Sequence, residues 1–294
     1  MASMNWSHLE TFIAIARAGS LTGAAHLLGT DQTTVGRRLN TLEADLRQKL
    51  FKRSKAGFLL TEAGERVLTD AQAVNTRLSR MIDDLADPDR GAEGIVRLFG
   101  NTWTLARLAS RGLDALTARH PGLELRMSGR LPPAPLHGET TLALWFDAAA
   151  RRPDIAYPLA NVPYAAYCAA DRTVTHDRWV MFRDDDADGP SFARVVERHI
   201  GVDRRIVLTA TDASILAEAI RGGAGIGMLP TAVGDATRGI VRDDSCANPI
   251  ERVLHLHLDP AIADLRRAQV VARWLLDAVE PALAATPIRA DLPA

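Results

Sequence analysis

The chain has 294 residues, 47% of them apolar, 24% charged and 5% aromatic, enough hydrophobic material for two folded domains and too much for intrinsic disorder. No run of about 18 apolar residues occurs and the first residues lack the blocks of a signal peptide, so neither a membrane span nor export is expected, and a cytoplasmic location is. Cys168 and Cys246 are the only cysteines, which excludes a disulfide framework and a cysteine-rich metal site. Net charge is −1, yet the stretch 37–55 carries seven basic residues against two acidic ones, including Lys49, Lys52 and Lys55, all the lysines the chain has. Such a basic stripe is the footprint of a phosphate-binding surface.

Residues 1–61 read as three short helices and a hairpin. Trp6, Leu9, Phe12, Ile13 and Ala16 share one face of a helix over 6–18, which Gly19 ends. Ser20 caps a second helix over 21–28, in which Leu21, Ala24, Ala25 and Leu28 face the core, and Gly29 stops it. Thr30 or Asp31 caps a third, whose Val35, Leu39, Leu42 and Leu46 point inward while Gln32, Thr33, Gly36, Arg37 and Asn40 point out. Leu50-Phe51 and Phe58-Leu59-Leu60 then flank a cationic hairpin tip with Lys52, Arg53 and Lys55. Thr61 caps a long helix over 62–90, along which Val67, Ala71, Val74, Leu78, Met81 and Leu85 form a heptad seam suited to a partner helix. The segment 87–91, Asp-Pro-Asp-Arg-Gly, reads as a hinge.

From Gly94 strands alternate with helices, as in an α/β domain with a largely parallel sheet. Strands are expected at 95–99, 123–127, 141–145, 165–169, 179–182, 205–209, 225–229 and 253–258, and helices at 105–119, 192–200, 214–221 and 261–283. The proline-rich stretch 129–138 is unsuited to a helix.

Two helices joined by a tight turn, the second exposing Gln, Thr and Arg, suit a helix-turn-helix whose recognition helix enters the major groove. Gln32 suits an adenine edge, Arg37 or Arg38 a guanine, and the methyl of Thr33 or Thr34 a thymine, with Asn40 further along the same helix. Gly36 lets the backbone approach the duplex, and the hairpin acts as a wing on backbone phosphates.

Residues 4–70 resemble the N-terminal domain of LysR-type transcriptional regulators, through the phrases AGSLTGAA, Gln32 to Arg37 followed by LNTLE, LFKR and LLTEAG in the family's order and spacing. The resemblance implies a winged helix-turn-helix, a dimerising linker helix over 62–90 and a two-subdomain, periplasmic-binding-protein-like α/β effector domain over 91–294. In that domain subdomain I takes about 91–162 and 259–294, and subdomain II about 163–258, with crossovers near 161–167 and 251–258. The family's usual Ser is replaced at Asp31 and Gly36, and its Asp before the first-subdomain strand by Thr140-Thr141. The stretch Arg221 to Pro230 resembles the family's glycine-rich turn.

Ligands in such sheets bind where strands end and helices begin. That makes Asn101, Thr102 and Trp103, then Thr211, Asp212 and Ser214, with Trp145 and Phe146 as an apolar wall, the candidate effector-binding residues. No catalytic set is expected. His255 and His257 alternate on a strand without a carboxylate pattern, and the acidic turn 184–188 lacks the glycine and distal Glu of a calcium loop, so no metal and no cofactor is expected beyond a small-molecule effector. The expected partners are double-stranded DNA with an inverted-repeat operator, the chain itself as dimer or tetramer, and RNA polymerase. Two other readings are a regulator of this fold without ligand response, and an α/β ligand-binding protein whose basic N-terminal domain docks to a protein partner.

Overall fold

The computed structural model describes residues 5–54, 57–85, 91–129, 140–147, 155–171, 177–183, 196, 204–245 and 250–288. The backbone divides into two compact units that part between residues 87 and 88. In the first, α1 (Trp6–Ala18), α2 (Leu21–Leu28) and α3 (Gln32–Leu46) precede a hairpin of β1 (Phe51–Ser54) and β2 (Gly57–Leu60), then α4 (Glu62–Leu85). The three helices begin where their caps put them: Asn5, Ser20 and Asp31 accept the N–H groups of Ser7, Gly23 and Thr34 at 3.0, 3.0 and 2.8 Å. Of the two caps expected for α3, Asp31 is the one that serves. Phe12, Ile15, Ala24, Val35, Leu39, Leu42, Leu50, Leu68 and Ala71 form the unit's core.

The second unit is built on an eight-stranded sheet. Its strands are β3 (Gly94–Gly100), β4 (Leu123–Ser128), β5 (Thr140–Phe146), β6 (Ile155–Ala169), β9 (Gly227–Pro230), β10 (Ile240–Arg242), β11 (Ile250–Leu258) and β12 (Thr286–Pro287). The main path runs β10-β6-β11-β5-β3-β4, with β9 and β12 also on β6, while β7 (Arg178–Phe182) and β8 (Arg205–Ala210) pair separately. The helices are α5 (Thr102–Ala109), α6 (Leu113–Arg119), α7 (Ala213–Arg221), the short α8 (Thr231–Gly234) and α9 (Arg266–Leu283). Val271, Leu275, Val279 and Leu283 of α9 are buried in a core shared with Val96, Leu98, Leu142 and Leu144 of the sheet.

The sheet is mixed rather than largely parallel. β3 runs parallel to β4 and β5, and β7 to β8, but β11 is antiparallel to both β5 and β6. The two long strands β6 and β11 are responsible, since they lie side by side over the whole of β11. The expected strand 165–169 is only the end of the 15-residue β6. Pro158 and Pro163 hide its beginning, because proline removes a ladder donor and is rare inside sheets. Pro158 is accommodated beside a register shift at Leu254/His255, a bulge of the kind that tolerates proline.

The helix expected over 105–119 is two helices, broken at Gly112, whose φ of 66° is left-handed. The helix expected from 261 starts at Arg266, after a 3₁₀ turn over Pro260–Ile262. The elements α8, β10 and β12 were not foreseen. The expected helix 192–200, apart from a buried Val196, lies outside the described residues, as do Cys246 and the acidic turn 184–188. At the entry to this unit, the buried His120 accepts the Ala92 N–H on Nδ1 at 3.0 Å. Burial, then the nearby charges of Arg119 and Arg266, holds its pKa below the usual histidine range.

Candidate nucleic-acid interface and effector site

The exposed side of α3 is a groove lined by Leu21, Gln32, Thr33, Gly36, Arg37, Asn40, Thr41 and Ala44. Five of the residues predicted from sequence meet there: Gln32, Thr33, Gly36, Arg37 and Asn40. Helical spacing explains this, because Gln32, Gly36 and Asn40 recur every four residues and Thr33, Arg37 and Thr41 form the adjacent row. Thr34 and Arg38 are half-buried on the flank and do not line the groove. The Thr34 hydroxyl donates to Asp31 Oδ2 at 2.7 Å, and the Thr34 bonds to the hydroxyl and N–H hold the Asp31 carboxyl below the usual carboxylate range. Asp31 thus acts as a cap with both oxygens engaged.

Leu21, Thr22, Thr41 and Ala44 escaped the sequence reading. Leu21 was placed on the core face of α2, and it does touch the core while also flooring the groove. Thr22 donates its hydroxyl to Gln32 Oε1 at 3.2 Å, a contact between helices that spacing within one helix does not reveal.

A buried glutamate holds the hairpin against α3. The Glu43 carboxylate, 7% exposed, accepts the Leu50 N–H at 2.9 Å, the Phe51 N–H at 3.4 Å and Lys49 Nζ at 2.5 Å. Further ties join the hairpin to its neighbours, with the Phe58 N–H donating to Gly19 O at 3.0 Å and the Thr61 hydroxyl to Lys49 O at 2.6 Å. Thr61 also caps α4 by accepting the Gly64 N–H at 3.0 Å. On this hairpin Lys52 is exposed and Arg53 lies opposite Phe58, while Lys55 falls outside the described residues.

Along α4 the expected seam divides. Ala71 is buried in the unit's own core and Val67 packs against it, whereas Val74, Leu78, Met81 and Leu85 are 46, 37, 51 and 80% exposed.

In the second unit Trp103 and Phe146 are brought together as a stacked pair, 5.8 Å between centroids, and Tyr164 meets Phe146 edge-on at 6.0 Å. Burial pushes the Tyr164 phenol up to about 12. The Arg252 guanidinium lies over the Phe146 ring at 4.8 Å and pairs with Asp147 at 2.9 Å. Neither Arg252 nor Asp147 was foreseen. Asn101 opens α5 without capping it through its side chain, Thr102 is exposed, and the Thr104 hydroxyl is buried with no partner among the described residues. Trp145 is half-buried opposite His255. Asp212 caps α7 by accepting the Ser214 N–H at 2.8 Å, and Thr211 and Ser214 are exposed beside it. The His255 and His257 rings lie 6.3 Å apart. Among the described residues no group of three or more His, Cys, Asp or Glu is placed to hold a metal ion, and no helix is long and apolar enough to cross a membrane.

A polar recognition helix beside a cationic wing, followed by a separate α/β unit, defines a DNA-binding regulator with a sensory domain. The chain belongs to the LysR family: residues 6–65 match the bacterial regulatory helix-turn-helix proteins of the lysR family, and residues 89–280 match the LysR substrate binding domain. It is 25% identical over 286 residues to the HTH-type transcriptional regulator CfxR of Cupriavidus necator, covering 87% of this chain and 86% of that one. The regulator DmlR of Escherichia coli is 30% identical over 118 residues, 40% of this chain but only 38% of DmlR. A full-length OxyR variant from Pseudomonas aeruginosa shares the fold, with a TM-score of 0.71 at 16% identity over 98% of this chain and 99% of that one.

Proposed function

We propose that this LysR-type transcriptional regulator reads an inverted-repeat operator through Gln32, Thr33, Gly36, Arg37 and Asn40, with the hairpin, through Lys52, Arg53 and Lys55, on the flanking phosphates. The observation that carries this reading is the groove along α3, in which four side chains of base-reading chemistry, Gln32, Thr33, Arg37 and Asn40, line one exposed surface around Gly36. Inverted symmetry follows from self-association along Val74, Leu78, Met81 and Leu85, which are exposed apolar side chains on a long helix. Thr34 and Arg38 serve as flanking supports. The protein works where the chromosome is, in the cytoplasm, and meets RNA polymerase at the promoter.

The second unit senses a small polar or anionic molecule at the start of α5. The side-chain-uncapped first turn there, with Asn101, Thr102 and the buried Thr104 hydroxyl, supports this, as does the adjoining wall of Trp103 and Phe146 under Arg252. Thr211, Asp212 and Ser214 at the start of α7 supply the matching contacts from the other subdomain.

Binding measured on selected and scrambled duplexes tests the DNA assignment. Arg37→Ala is expected to cost about 1–3 kcal/mol and to relax base preference, whereas Lys52→Ala weakens both duplexes alike and lowers the salt dependence. Identical behaviour of the two variants overturns it.

A further inference from the structure

Gly36 sits in the middle of α3, where glycine costs about 1 kcal/mol of helix stability relative to alanine. Among the described residues nothing requires it. Its φ is not left-handed, and among the described residues a Cβ built there meets, outside the helix's own backbone, only Leu21 Cδ1, at an ordinary contact distance of 3.7 Å. The missing side chain has one structural effect, which is to open the floor of the groove onto the Leu21 methyl. The groove is therefore apolar at this point, where Leu21 lies under Gly36, and the neighbouring lining is polar, with Gln32, Thr33, Arg37 and Asn40.

The Gln32 carboxamide beside this opening is oriented by its neighbour. Thr22 donates its hydroxyl to Gln32 Oε1 at 3.2 Å, which engages the amide oxygen and turns the amide NH₂ to other acceptors. A methyl socket next to a hydrogen-bond donor matches one base in unmodified DNA. Thymine alone presents a methyl in the major groove, and its O4 beside that methyl is an acceptor.

We propose that Gly36 and Leu21 form a thymine-methyl socket, with Gln32, held by Thr22, donating to O4 of the same base. This assigns Leu21 and Thr22 of α2 to base selection and rests on the reading that α3 enters the major groove.

The test uses the full chain. Duplexes are selected from a randomised double-stranded library, and each thymine of the selected sequence is replaced in turn by deoxyuridine, which removes only the methyl. One thymine in each half-site is expected to weaken binding about four-fold when replaced, the transfer value of one buried methyl. In Gly36→Ala, where the new methyl fills the socket, the thymine-to-uracil ratio at that position is expected to fall to about one, and the variant's melting temperature is not expected to drop because alanine favours the helix. Native protein indifferent to uracil at every position overturns the socket, as does Gly36→Ala keeping the native ratio. Arg37→Ala separates the two levels of failure. If it retains full preference for the selected duplex, the assignment of α3 falls and the socket with it; if that preference is lost while uracil is tolerated everywhere, only the socket falls.

Discussion

Glu43 joins α3 to the hairpin, and its removal puts a number on that connection. In Glu43→Ala the Leu50 amide, fully buried, loses a charged acceptor at 2.9 Å and Phe51 a weaker one at 3.4 Å. A hydrogen bond to a charged group contributes about 1.5–3 kcal/mol, and an orphaned buried N–H is of the same order. The ion pair adds little, because the Lys49 side chain is 76% exposed. The expected loss in hairpin stability is therefore about 3 kcal/mol, or roughly a hundred-fold faster exchange of the Leu50 and Phe51 amides, at about 1.4 kcal/mol per decade. Hydrogen exchange followed by mass spectrometry on peptides spanning 49–61 reads this directly in the full chain. Glu43→Gln, which keeps a carbonyl acceptor, is expected to lose less than half as much. Under the proposed role of the hairpin on backbone phosphates, Glu43→Ala is also expected to weaken selected and scrambled duplexes alike. Exchange at Leu50 and Phe51 within about three-fold of native in the alanine variant would refute the reasoning, since an unpaired N–H in that interior cannot be so cheap.

His120 supplies a pH dependence. Its pKa is lowered on folding, so the neutral ring is the stabilised form; the contribution is complete above the unfolded value, about 6.5, and is lost as pH falls below it toward the folded pKa. Protonation also removes the Nδ1 acceptor of the Ala92 N–H. Urea unfolding of the native chain is therefore expected to show a fall in stability between about pH 7.5 and 5.5 that His120→Asn reduces; equal pH slopes would contradict the assignment. On α4, Leu78→Asp combined with Met81→Asp places charge on two exposed apolar positions and is expected to weaken self-association at least ten-fold in analytical ultracentrifugation, with the N-terminal core intact because neither residue belongs to it. An unchanged association constant would remove this stretch of α4 from the interface.

Much of the first unit was legible because its signals are local. Asn5, Ser20 and Asp31 cap helices over one or two turns, and Val35, Leu39 and Leu42 face inward by periodicity alone. The same periodicity put Gln32, Thr33, Gly36, Arg37 and Asn40 on the opposite side, so a large part of the candidate interface followed from one helix. It did not place Thr34 and Arg38, which are half-buried on the flank and do not line the groove. Along α4 the seam was right in its spacing and silent about its neighbours, so Ala71 was read together with Leu85 although one is buried by the hairpin unit and the other is 80% exposed. In the second unit Pro158 and Pro163 concealed a strand that is held by pairing with distant segments, β11 along most of its length and β9, β10 and β12 besides.

What this amino-acid order determines unaided is the set of local decisions: where helices start, which face is oily, where cations cluster, and the family phrases that go with them. These depend on a few neighbouring residues, so they can be read in a line. Tertiary structure alone decides which distant groups meet, as when Glu43 reaches Leu50, Thr22 reaches Gln32, Leu21 comes under Gly36, and Arg252 covers Phe146 after pairing with Asp147. Those contacts arise from packing and strand register, in which each side chain's partner is set by the backbone path of another element, and a sequence pattern carries no term for that distance.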